Sequence, residues 1–177
     1  MMKTITAPNV LENLDCIKVF LGGGIQKCPD WQSKIINDMM RMKWDDVNVT
    51  LINPRQPNFD MNDSHAAEKQ ITWEFNNLNA MDMFTMFFYG PTESDQPICF
   101  YELGRYIEVI RRRFPDDWEN RIVITVCKDF RRYEDVLVQT RLATEDKVVP
   151  YCVKGYNDAL LMHELAIVNA LKNIKQI

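Results

Sequence analysis

The chain has 177 residues, 46% of them hydrophobic and 26% charged, which suits one ordinary domain spanning 1–177 and excludes a disordered chain. A formal net charge of −4 and a pI near 5.2 weigh against a nucleic acid or an anionic membrane surface as the main partner. No apolar run approaches the roughly 18 residues of a membrane span, and MMKTITAPNV at the start lacks an export signal's apolar stretch, so a soluble, cytoplasmic protein is expected.

The first strand candidate is IKVFLGG at 17–23. Three glycines at its end, Gly22 and Gly23 within it and Gly24 just after, let a backbone approach a ligand closely, and their N–H groups suit an anion or a sugar. The same glycines also suit a bare turn. Neither G-x-G-x-x-G nor G-x-x-x-x-G-K-[ST] is present, so dinucleotide-fingerprint and Walker readings both fail. A helix is expected from Asp30 to Met42, with Trp31 either a stacking surface for a ligand or part of the core.

The second strand, VNVTLIN at 47–53, runs into NPRQPNFD, where Arg55 is either a ligand for a phosphate or hydroxyl or a plain loop cation. The next helix, 65–81, carries Ile71, Phe75 and Leu78 as an apolar stripe. Glu74 lies at its border, about 60° from Ile71 on the helical wheel. Had this helix begun at Ser64, Glu74 would stand about 15 Å from its mouth, so a role in a crevice there requires a later start or a bend.

MFTMFFYG at 83–90 is the third strand, and TESDQP after it leads into a helix from Pro97 to Arg113. Asp95 or Gln96 is placed to cap that helix, and the arginines at 111–113 suit its negative end. Glu102 then falls in the second turn, within the otherwise uncharged stretch ICFYELG. A carboxylate among Ile98, Phe100 and Leu103 needs a partner or a chemical role. The plain alternative is an i,i+3 ion pair with Arg105.

RIVITVCKD at 121–129 and VVPYCV at 148–153 complete five strands, with helices at 133–144 and 157–175. In the last helix Leu161, Leu165, Val168 and Leu171 recur at steps of three and four behind Asn157 as a cap. Strict β-α alternation and near-continuous apolar strands predict an α/β fold, a doubly wound five-stranded parallel sheet of order 2-1-3-4-5, flavodoxin-like, with helices on both faces. Ligands of such sheets bind outside the carboxyl ends of the strands where the order reverses, here the loops after the first and third strands.

Five cysteines without a C-x-x-C pair suit a reducing compartment. Two distant histidines, His65 and His163, supply no metal-ligand spacing, and neither a metal nor any other cofactor is expected.

Taken in order, VFLGGGI with DWQ, NPR, QITWE and PICFYELG resemble the nucleoside 2-deoxyribosyltransferase-like family over about residues 17 to 106. The resemblance implies that Glu102 is the nucleophile that attacks C1′ of a deoxyribonucleoside, expels the base and holds the sugar as an ester. It implies a second, substrate-orienting acid eight residues before Asp82, which is Glu74. Two positions depart from the family pattern. Phe20 stands where the family's transferases carry a tyrosine that bonds the nucleophile, and Gln96 stands where they carry an aspartate that contacts sugar or base, with Asp95 one place away.

The expected activity is therefore cleavage of the N-glycosidic bond of a 2′-deoxyribonucleoside or its 5′-monophosphate, through transfer to another base or hydrolysis. Phe20, Gly22, Gly23, Gly24, Trp31, Arg55, Asp95 and Gln96 are the candidate substrate contacts, Arg55 and the glycine N–H groups for a phosphate. The two departures also fit a non-catalytic module that senses a nucleotide. A dinucleotide glycohydrolase would share the chemistry but asks for a larger crevice than these short loops suggest. The resemblance further implies a homo-oligomer.

Overall fold

The computed structural model describes residues 1–10, 15–44, 47–60 and 62–174; Lys175, the expected end of the last helix, lies outside them. The apolar runs become β2 (Ile17–Gly23), β3 (Val49–Asn53), β4 (Met83–Phe88), β5 (Ile122–Cys127) and β6 (Tyr151–Val153). All pair in parallel, in the spatial order β3-β2-β4-β5-β6, which is the predicted 2-1-3-4-5. A sixth strand, β1 (Met2–Thr6), adds to the outer edge of β3, so the sheet has six strands rather than five. Its sequence, MKTIT, escapes a search for apolar runs because an edge strand has one partner and is only half covered.

The helices alternate sides. Helices α1 (Trp31–Met40) and α5 (Tyr156–Asn173) pack on one face through Trp31, Ile35, Met39, Leu160, Ile167 and Leu171. The other face carries α2 (Ala66–Ala80), α3 (Pro97–Arg113) and α4 (Tyr133–Ala143), which cover Phe20, Ile52, Phe84, Met86 and Phe88. A short 3-10 turn, Trp118–Arg121, leads into β5. Asp82 bolts the two central strands together: its backbone N–H donates to the Lys18 carbonyl, and its carboxylate accepts from the Lys18 N–H at 2.9 Å.

Two expected helix faces are displaced. Leu161 and Leu165 face outward, 54% and 46% exposed, and α5 instead buries Ala159, Leu160, His163, Ala166, Ile167 and Leu171. Gly155, not Asn157, is its N-cap. In α2, Ile71 and Phe75 are exposed and only Asn77 and Leu78 are fully buried. The C-terminal half of α2 therefore seats on the sheet while its first half stands clear, and a space opens between it and α3.

Among the described residues no helix is long and apolar enough to cross a membrane.

Candidate active site

That space is a cavity of about 270 Å³ at the carboxyl end of β2, where strand order reverses. Its floor is Phe20 with Gly22, Gly23 and Gly24; Pro54 and Glu74 form one wall; Ser94, Gln96, Pro97, Ile98, Cys99 and Glu102 form the other. Helix α2 begins at Ala66, so Glu74 lies about 12 Å along its axis. It reaches the cavity because the opening runs down the flank between α2 and α3 to Phe20.

Both acids are thus brought together. Glu102 projects from the second turn of α3 and is 9% exposed. The alternative pair with Arg105 does not form: that guanidinium donates to the Tyr101 hydroxyl at 3.2 Å and stacks over the Phe75 ring. Among the described residues Glu102 accepts no hydrogen bond, and burial, then the nearby Glu74 carboxylate, push its pKa up to about 8. Burial also raises the Glu74 pKa, but the Gln70 amide, donating to Oε1 at 2.8 Å, stabilises its anion. Gln70 is held in turn by the Pro54 carbonyl at 2.7 Å. Glu74 therefore ionises first, and burial, reinforced by that charge, keeps the proton on Glu102 near neutral pH.

The glycines are required by close approach. Gly23 sits at φ +146°, and a Cβ there would strike the Phe87 carbonyl and the Trp31 ring; one on Gly24 would strike the Gln96 amide and Cys28 Sγ. Gln96 is the N-cap residue of α3, in the left-handed region at φ 48°, but its side chain makes no capping bond and turns inward. Its Nε2 donates to the Tyr89 carbonyl at 2.9 Å.

Three candidates lie elsewhere. Trp31 is wholly buried against Phe87 and His163, and its indole N–H donates to the Gly24 carbonyl at 3.0 Å, so it holds the cavity loop from behind rather than offering a stacking surface. Asp95 pairs with Arg131 and lines a separate groove between α3 and α4. Arg55 bonds Gln32 Oε1 and the carbonyls of Ile25, Cys28 and Pro29, with Asp30 also within 3.4 Å. Its guanidinium is occupied in fixing the β2–α1 loop.

Cys99, Gln70 and Pro54 were missed. Cys99 precedes Glu102 by three residues and Gln70 precedes Glu74 by four, so helical spacing could have placed each beside its acid. Burial and the Glu102 charge push the Cys99 thiol up, which makes it a neutral wall residue rather than a nucleophile. Among the described residues no group of three or more His, Cys, Asp or Glu gathers as metal ligands would.

A parallel α/β sheet with two carboxyl groups in a cavity at its switch point defines an α/β protein with a paired-acid pocket. The chain belongs to the nucleoside 2-deoxyribosyltransferase-like family, whose model matches residues 16–114 and so spans both acids and the whole cavity wall. No curated protein matches the chain. Membership supports an enzyme of the glycosyl-transfer kind with small-molecule nucleoside substrates.

Proposed function

We propose that the protein cleaves the N-glycosidic bond of a 2′-deoxyribonucleoside or its 5′-monophosphate, with Glu102 as nucleophile and Glu74 as the acid that orients the substrate. The observation that carries this reading is the pair itself: two carboxyl groups on facing helices in one cavity, one of them without any partner. The pair enters the reaction holding one proton, mainly on Glu102. A Glu102 oxygen bonds to C1′ as the C1′–N bond breaks; the bond's electrons go to the base nitrogen, and the pair's proton goes with them. The products are a glycosyl ester and a neutral base, so atoms and charge balance. Attack on the ester by a second base completes a transfer, and attack by water completes a hydrolysis.

As C1′ gains positive charge, the single negative charge that the pair carries stabilises it, and that stabilisation is greatest at the transition state. The free nucleoside is favoured over the monophosphate, since Arg55 is not among the residues that line the cavity and its Nε and Nη2 are spent on Gln32 and the β2–α1 loop. Cytoplasmic location and self-association belong to the same proposal.

Base release followed by chromatography, over deoxyribonucleosides, ribonucleosides and their monophosphates with and without acceptor base, tests this. Release lost in Glu102→Ala supports the assignment; a new nucleoside made only with acceptor identifies a transferase. The absence of a tyrosine beside Glu102, where Phe20 stands, favours a nucleotide-sensing module as the second reading. Binding without release from any substrate of that panel would establish it.

A further inference from the structure

The charge of the cavity is one-sided, and the reaction above makes no use of that. Among the described residues its lining holds two carboxyl groups, Glu74 and Glu102, and no Lys, Arg or His. The donors that could offset them are engaged elsewhere. Arg55 holds the β2–α1 loop, Arg105 turns to Tyr101 and Phe75, Lys27 pairs with Glu93, and the Gly24 N–H goes to the Phe87 carbonyl. Pro97, at the first position of α3, has no N–H to present, and Phe20 has no hydroxyl. Glu102 lines this space only 9% exposed and, among the described residues, accepts no hydrogen bond. The other titratable groups about the pair supply no charge: Cys99 and Tyr106 on α3 and Cys28 on the β2–α1 loop are all pushed up by burial and stay neutral. An anion in such a place must take its counter-charge from the ligand.

We propose that this cavity selects nucleosides whose base carries a fixed positive charge on a quaternised ring nitrogen, as in an N-alkylated purine or a pyridinium base. The inference rests on the nucleoside reading above and names its substrate class. A neutral base needs the pair's proton as it leaves; a cationic one does not. A Glu102 oxygen bonds to C1′, the C1′–N bond breaks, and its electron pair cancels the positive charge on the base, which leaves neutral. The proton stays in the pair, on Glu74, or at higher pH has already gone to solvent. In either case one negative charge of the pair is spent in the ester and one positive charge is lost from the base, so atoms and charge balance. The same carboxylates thus attract the cationic base and need no proton to release it.

The test compares two 2′-deoxyribosyl C-nucleosides of the same shape, one with an N-methylpyridinium ring and one with a methylphenyl ring; neither has a C1′–N bond to cleave. Calorimetry on the unaltered protein at pH 7 should find the pyridinium form bound roughly 10- to 100-fold more tightly, as for a unit charge close to a largely buried carboxylate. The ratio should widen by pH 9, where the second acid is ionised. With both acids replaced, Glu74→Gln and Glu102→Gln, the two ligands should bind within about twofold of each other. Equal binding to the unaltered protein overturns the proposal and needs no variant to fold; a ratio that survives the double replacement overturns it too. Base release from 7-methyl-2′-deoxyguanosine and from nicotinamide 2′-deoxyriboside, corrected for spontaneous loss, separates an alkylated purine from a pyridinium base, and release from neither overturns the proposal. The pyridinium nucleoside, whose charge does not titrate, should go on releasing base above pH 8, where release from a neutral nucleoside falls; a parallel fall counts against the proposal. If neutral nucleosides release base while the two C-nucleosides bind equally, this inference alone fails. The nucleoside reading fails when no nucleoside, neutral or cationic, releases its base.

Discussion

Glu102→Gln should make the protein more stable, and increasingly so as pH rises. In the unfolded chain this carboxyl titrates near 4.5, whereas in the cavity it titrates near 8. Between those values the folded state retains a proton that the unfolded state has released, so stability falls as pH rises through the window. The full difference is about 5 kcal/mol at 1.36 kcal/mol per pH unit, most of it already lost at pH 7. Glutamine keeps the shape without the charge and removes that slope. Urea unfolding at pH 4.5, 7 and 8.5 should give near-equal midpoints at the lowest pH. At pH 7 the variant should lead by roughly 3 kcal/mol with an unchanged m value, or roughly 6–12 °C in Tm. A variant that tracks the parent at every pH would falsify the claim that Glu102 is held neutral by burial. Stability gained together with loss of base release would show that the fold carries an unfavourable acid for the sake of chemistry.

The pH dependence of base release should fall above an apparent pKa near 8, where the pair loses its proton, and in Glu74→Gln that limb should move to lower pH because the like charge is gone. Arg55→Ala should destabilise the fold by about 1–3 kcal/mol and weaken nucleoside and monophosphate alike, since it frees the β2–α1 loop; a loss confined to the monophosphate would restore Arg55 as a phosphate ligand. His163, wholly buried and bonded to the Thr125 hydroxyl at 3.0 Å, has its pKa lowered to about 3 by burial. The unfolded chain therefore takes up the proton first, and several kcal/mol of stability should be lost as pH falls from 6.5 to 3. His163→Gln should flatten acid unfolding over that window. Gly23→Ala should cost about 2–4 kcal/mol in urea unfolding, because a Cβ there meets backbone oxygen rather than a side chain that can move.

The central sheet was legible because buried parallel strands must be apolar on both faces, and runs such as FLGG and MFTMFF have no other common use. The order of β2 to β6 followed from alternation and handedness, which are rules of chain connection rather than of particular side chains. Glu102 was legible for a related reason: a lone charge in an apolar run is conspicuous, and the helix starting at Pro97 fixed its turn. Glu74 at the border of a stripe was not, and it was the resemblance that singled it out.

Other features depend on which surfaces meet. On α5, Leu160, His163, Ile167 and Leu171 recur at the same three- and four-residue steps as Leu161, Leu165 and Val168, displaced by about 100°. Periodicity cannot choose between two such stripes. The sheet chose the one with Ala159, Ala166 and Ala170, where small side chains let the helix approach, and it accepted a neutral histidine there. The same holds for Arg55 and Gln96. Sequence supplies a guanidinium and an amide near a crevice; only the fold turns the Nε and Nη2 of the first onto Gln32 and the loop carbonyls, and sets Tyr89 against the second, leaving one oxygen bare. Local composition determined the strands, their order and one acid, because those follow from what each segment must bury. The partners of the polar groups were decided by tertiary structure, because which groups meet depends on how the elements and loops pack.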